Sequence, residues 1–156
     1  SLWERECMRF FDENDSIVEW GSEEIAIPYD HPVKGRPARY YPDFIIKDKK
    51  GLIKMIEVKP KKETLEPEKP SRRTKKYVNE VMLYAVNREK WKAAVDMCKR
   101  NDIVFEIWTE DTLKEMGLLK GTKMPKDKRQ LIKESNKPKM KPIVKRPTRP
   151  RPKRRS

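Results

Sequence analysis

Apolar residues first recur at helical spacing, where Trp3, Cys7, Phe10 and Phe11 form one stripe across residues 1–14. The period then shortens. Residues 16–20 and 24–29 are brief β-rich pieces, and a turn at 30–37 containing Pro32, Gly35 and Pro37 returns the chain into residues 38–47 as the partner strand. Residues 44–47 and 52–58 are rich in Ile, Val and Phe, with Gly51 between them, and predict a β-hairpin. Beyond a polar loop at 60–70, Ser71 is a candidate cap for a helix carrying Tyr77, Val81, Tyr84 and Ala85. A second helix over 87–100 carries Trp91, Ala94, Val95 and Cys98. Residues 103–108 read as the last strand; Thr109 then caps a short helix with Leu113 and Met116, and Gly117 stops it. This order predicts an α/β fold, a mixed β-sheet core with helices on both faces.

The hairpin carries the chemistry. Lys49, Lys50 and Gly51 suit a three-residue loop, a type I turn followed by one left-handed residue. Asp48 then faces Leu52, and Asp43 falls opposite Glu57, with Cβ atoms ~5 Å apart on one face of the sheet. Lys59, two residues beyond Glu57, shares that face. Opposed like charges destabilise a sheet unless something neutralises them, and Mg²⁺, which takes one or two carboxylates plus waters and phosphate oxygens, would do so. A lysine beside it can orient or help deprotonate the nucleophile and offset charge on phosphorus, the arrangement of metal-assisted phosphodiester hydrolysis. Exposed hairpins also carry Lys and Glu without any such role. Here Ile45, Ile53 and Met55 lie on the acids' face and Phe44, Ile56 and Val58 on the other, so both faces are expected to be covered.

Pro42-Asp43, a hairpin and Glu57-Val58-Lys59 resemble the pattern of the restriction-endonuclease-like nucleases. Ser1 to Glu4, Glu19 to Glu24, Ile27-Pro28-Tyr29, Arg39 to Phe44 and Glu57 to Lys61 extend the resemblance over residues 1–119. They are similar to the head completion nucleases of T-even-type tailed phages and, more distantly, to the transposon-end-cleaving branch of the same superfamily. The resemblance implies a restriction-endonuclease-like fold and a Mg²⁺-dependent endodeoxyribonuclease, with Mn²⁺ as a substitute. It implies Asp43, Glu57, Lys59 and a first-helix acid, Glu4, as the site, the three acids holding the metal. Ser1 and Glu4 also spell a capping box, and both roles are compatible. DNA is the implied partner, with portal or head-completion proteins beside it, in the host cytoplasm during phage assembly; retention in the virion is open.

Charge divides the chain in two. Of 39 Lys and Arg and 25 Asp and Glu, residues 120–156 hold 16 basic and 2 acidic ones, so that segment alone carries the net +14. Residues 1–119 are therefore expected to be a neutral nuclease domain, and 120–156 a basic, Pro-rich tail that is disordered or extended. Nucleic acid is the natural counterpart of such a tail, and an acidic protein surface is the rival. Lys61, Lys62, Arg72, Arg73, Lys75 and Lys76 form a second basic cluster, suited equally to gripping phosphates or to a solvated loop. Cys7 and Cys98 lack metal or redox spacing and read as reduced core thiols of a protein made in a reducing cytoplasm. No signal peptide and no apolar run of membrane-spanning length appear.

His31, the single histidine, lies in a turn, where solvation is the expectation. Either Glu23 or Glu24 could face the site, or both could be exposed acids before a strand. One loop histidine excludes a Ser/His/Asp set, and no glycine-rich phosphate loop or zinc-spaced cluster occurs. Two other functions stay open: a catalytically silent virion protein binding DNA or portal through its tail, and a recombination or repair nuclease acting on branched DNA.

Overall fold

A computed structural model describes residues 1–119; the expected basic tail lies outside them. Helix α1 (Leu2–Glu13) begins with both halves of a capping box. Ser1 Oγ accepts the Glu4 N–H at 3.2 Å, and Glu4 Oε1 lies 3.5 Å from the Ser1 ammonium. The Asn14 side chain then accepts the Ser16 N–H at 2.9 Å and turns the chain into β1 (Ile17–Ser22). Next come β2 (Ile27–His31), β3 (Arg36–Tyr40), β4 (Phe44–Asp48), β5 (Ile53–Val58), α2 (Lys61–Thr64), α3 (Lys75–Arg100), β6 (Ile103–Trp108) and α4 (Glu110–Glu115).

The main sheet has the order β1-β4-β5-β6, antiparallel except for the parallel β5–β6 pair joined through α3. Strands β2 and β3 form a separate two-stranded sheet. Residues 38–47 are thus not one strand. Pro42 cannot donate to a ladder and holds Tyr41 away from regular pairing, so the chain changes sheets there. Tyr40 ends the small sheet and Phe44 opens the large one, with β1 rather than β2 as its partner.

The two helices expected at 71–100 are also one. Helix α3 runs for 26 residues without a break at Asn87, and its N-cap is Thr74, whose hydroxyl accepts the Tyr77 N–H at 3.1 Å, rather than Ser71. Only its second half lies on the sheet. Val81, Met82 and Leu83 in the first half are exposed, so the apolar stripe shifts along the helix and mimics a boundary. The loop at 60–70 contains the short helix α2.

Both faces of the main sheet are covered, as strand alternation requires. On one face Phe44, Ile46, Ile56 and Val58 pack against Cys7 and Phe11 of α1 and Leu113 of α4, together with Trp108. Phe11 is the centre of that side, edge-on to Phe44 at 5.1 Å and tilted against Trp20 and Trp108 at 5.7 and 5.8 Å. On the other face Met55 packs against Trp91, Ala94 and Cys98 of α3 and against Ile27, Tyr29 and Tyr40 of the small sheet. Each fully buried Phe, Ile or Met contributes about 1.5–3 kcal/mol. Cys7 and Cys98 are buried free thiols, and burial first, then nearby acids, pushes Cys7 up to about 12.

Candidate active site

The β4–β5 turn sets the geometry. Asp48 Oδ1 accepts the N–H groups of Lys50 and Leu52 at 2.9 Å each, and Gly51 takes φ +83°, where a side chain would be strained. The ladder follows the expected register, with Phe44 opposite Ile56, Ile45 opposite Met55, Ile46 opposite Lys54 and Lys47 opposite Ile53. The ladder ends there, one residue short of Asp43 and Glu57.

Asp43 does not extend the ladder. Its Oδ2 accepts the Val58 N–H at 2.7 Å, and its carbonyl accepts the Glu23 N–H at 3.2 Å. Glu57 is only 6% exposed, so its carboxylate needs partners. The Tyr40 hydroxyl donates to Glu57 Oε2 at 2.6 Å, and the Lys59 ammonium lies 3.8 Å from Oε1. Lys59 is also 3.9 Å from Glu63 of α2. Two carboxylates and one ammonium therefore gather at the end of one hairpin, on a sheet covered from both sides.

Burial dominates the electrostatics. It pushes the Glu57 carboxyl up to about 7, with a further rise from Asp43, while Tyr40, Lys59 and Lys90 act the other way. Asp43 is raised as well, again mainly by burial, against the Val58 N–H that favours its ionised form. Two adjacent acids that resist losing their protons are the chemistry a hard divalent cation relieves, and the donor set fits one. Tyr40 is raised by burial and by Glu57, which keeps it a donor. Tyr40→Phe should destabilise the protein by about 1.5–3 kcal/mol, the range for a hydrogen bond to a charged group. Thermal melts check this, since Glu57 loses the donor that orients it.

Glu4 lies within electrostatic reach of Asp43 and raises it, while its carboxylate faces the Ser1 ammonium. Among the described residues no group of three or more His, Cys, Asp or Glu side chains is gathered closely enough to hold a metal, so Glu4 is not drawn in with Asp43 and Glu57. Capping explains its position. Glu23 is exposed at φ +52° and also raises Asp43. The Glu24 carboxylate lies over buried Gly21, where a Cβ would collide with it. His31 is not a solvated loop residue. It ends β2, half-buried, and its Nδ1 accepts the Val33 and Lys34 N–H groups at 3.3 and 3.1 Å, bracing the turn.

The basic cluster is thinner than its sequence suggests. Lys61 pairs with Asp111 at 2.8 Å, and its N–H donates to Glu110 at 2.7 Å, tying α2 to α4. Lys62 and Lys76 both approach Glu80 at 3.9 Å. Arg72, Arg73 and Lys75 are exposed without an ion pair among the described residues.

Sequence reasoning missed Tyr40, Glu63 and Lys90. Tyr40 gave one signal, an aromatic with a polar tip three residues before Asp43. The other two gave none above the background of surface charge.

Residues 14–110 match the family described as TnsA-like endonuclease N terminal, and the chain belongs to it. The head completion nuclease of Enterobacteria phage T4 is 41% identical over 121 residues, an alignment covering 75% of this chain and 81% of that protein. No solved structure matches. Among the described residues no helix is long and apolar enough to cross a membrane.

Proposed function

We propose that this chain is a Mg²⁺-dependent DNA endonuclease that trims or cuts DNA ends during phage head completion in the host cytoplasm, beside portal or head-completion proteins. The observation that carries this reading is the buried Glu57, held by Tyr40, with Asp43 and Lys59 beside it. Asp43 and Glu57 would hold the cation, with Glu4, which acts electrostatically on Asp43, as the third acid and Mn²⁺ as a substitute. When bound, the cation supplies Lewis acidity toward the phosphoryl oxygen. Lys59 orients the attacking water and offsets charge developing on the phosphate. Asp43 keeps its carboxylate fixed through the Val58 N–H. The 1–119 body would do the chemistry, and the 120–156 segment would supply affinity for DNA.

The test is incubation of linear, branched and circular DNA with Mg²⁺ or Mn²⁺, beside Asp43→Ala. Cutting by the parent and none by the variant is expected; intact DNA in every parent reaction would overturn the reading. Which of the three DNAs is cut separates end processing from branch resolution. Lys59→Ala should keep the parental melting temperature, since its two ion pairs are long, at 3.8 and 3.9 Å. Its turnover should fall by about 10² or more. Parental turnover would leave Lys59 as a strand-end charge.

A further inference from the structure

Helix α3 contributes a second ammonium to this site. Lys90 Nζ stands over two tyrosine rings of the small sheet, 5.6 Å from the Tyr40 centroid and 5.9 Å from the Tyr29 centroid. Tyr40 is the residue that holds Glu57, so the ring beneath Lys90 leads directly to the carboxylate pair. Lys90 is half-buried, which pulls its proton affinity down; Lys59 lowers it further and Glu57 raises it, which places all three groups within electrostatic reach of one another. Among the described residues no carboxylate lies within 4.0 Å of its ammonium, the limit within which the chain's other ion pairs fall.

The same turn of α3 is rich in donors. Asn87, 2% exposed, leaves Nδ2 without an acceptor, and Trp91, one helical turn further on, leaves Nε1 without one. An ammonium withdrawn from water and given only ring faces is costly, and an anion would relieve it. Charge balance names the anion. Asp43, Glu57 and Glu63 stand against Lys59 and Lys90, so a divalent cation would leave the group with one net positive charge, which a phosphodiester complements.

We infer that Lys90 is a phosphate-binding residue of this site, its ammonium, steadied by Tyr29 and Tyr40, taking a non-bridging oxygen of the DNA strand beside Asp43 and Glu57. This deepens the nuclease reading and rests on it for the location of the substrate. It also gives the two-stranded sheet a role, since β2 and β3 supply both rings.

The test measures binding of the full chain to a short duplex oligonucleotide by fluorescence anisotropy over a range of salt, with Ca²⁺ in place of Mg²⁺ to hold the DNA uncut. Lys90→Met, which keeps the packed stem, should bind about tenfold more weakly, the size of one charge-assisted hydrogen bond, and its salt slope should flatten by ~0.9 for one phosphate contact. Lys90→Arg should stay within about threefold of the parent. Parental affinity and slope in Lys90→Met would make Lys90 an internal counter-charge for Glu57 and overturn the inference, as would equal losses in both variants. A parent that binds the duplex and cuts no DNA with Mg²⁺ would sink the nuclease reading instead, while the loss in Lys90→Met would still stand for the phosphate contact.

Discussion

Glu57→Gln should melt at a higher temperature than the parent at pH 8 and should cut DNA far more slowly. The carboxyl is held up to about 7 in the fold against an ordinary 4.5, so the folded state prefers the protonated form. Its stabilising contribution is therefore complete below pH 4.5 and is lost as pH rises through about 7. At pH 8 the parent bears the whole cost of a buried carboxylate, on the order of 3 kcal/mol. Glutamine keeps the shape and the acceptor for Tyr40 without the charge; its amide facing Lys59 offsets part of the gain. A rise of several degrees at pH 8 and little change at pH 5 are expected in thermal melts. Cleavage should drop by about 10³, the upper range for one electrostatic group in a site. Calorimetry should show the proposed Mg²⁺ binding lost with it. A variant that melts lower at pH 8, or that cuts as the parent does, would mean that Glu57 is a structural residue.

Truncation after Leu119 should separate affinity from chemistry. All of the net +14 lies in residues 120–156, and the acids and lysines of the site lie in the neutral body. If half of the tail's basic groups neutralise phosphates, a salt-slope magnitude near ~7 disappears with them, at ~0.9 per duplex contact. Affinity at low salt should collapse with it. Turnover at saturating DNA should survive, because removing uniform binding energy raises KM and leaves kcat alone. Parental affinity and slope in the truncated protein would assign DNA binding to the body, with Arg72, Arg73, Lys75 and Lys90 as the cations to examine next, and would make the tail a docking segment for a protein partner.

Much of the site was legible because it is local. Loop length, Gly51 and strand alternation set the β4–β5 register from Phe44 opposite Ile56 to Lys47 opposite Ile53, which brings Asp43 and Glu57 to the same end of the hairpin before any tertiary contact is considered. Capping at Ser1, Glu4 and Thr109 was legible for the same reason: the bonds join residues three apart. Where tertiary packing decides, the sequence misleads. Pro42 marks a break within residues 38–47 but does not tell a bent strand from one that changes sheets, since the difference lies in whether Tyr40 and Phe44 pack on the same layer. The apolar stripe of α3 breaks in sequence because the sheet beneath it ends, while the helix continues. Lys90 was invisible because its surroundings come from β2, β3 and β5, each distant in the chain.

The order of assembly differs for the two halves of the site. Asp43 and Glu57 stand at the open end of a hairpin whose loop is only three residues long, and a hairpin closes in roughly 1–10 μs. Parallel pairing of β5 with β6 must wait until the chain through α3 has closed a far longer loop, an event that non-local topology makes slow. The two carboxylates are thus expected to meet while water still screens them and to lose that water later, when α3 brings Lys90 and the small sheet brings Tyr40. Repulsion that would oppose the finished site is largely absent at the moment its acids are brought face to face, so the late step that dries the pair is also the step that delivers its compensating charge and hydrogen bond.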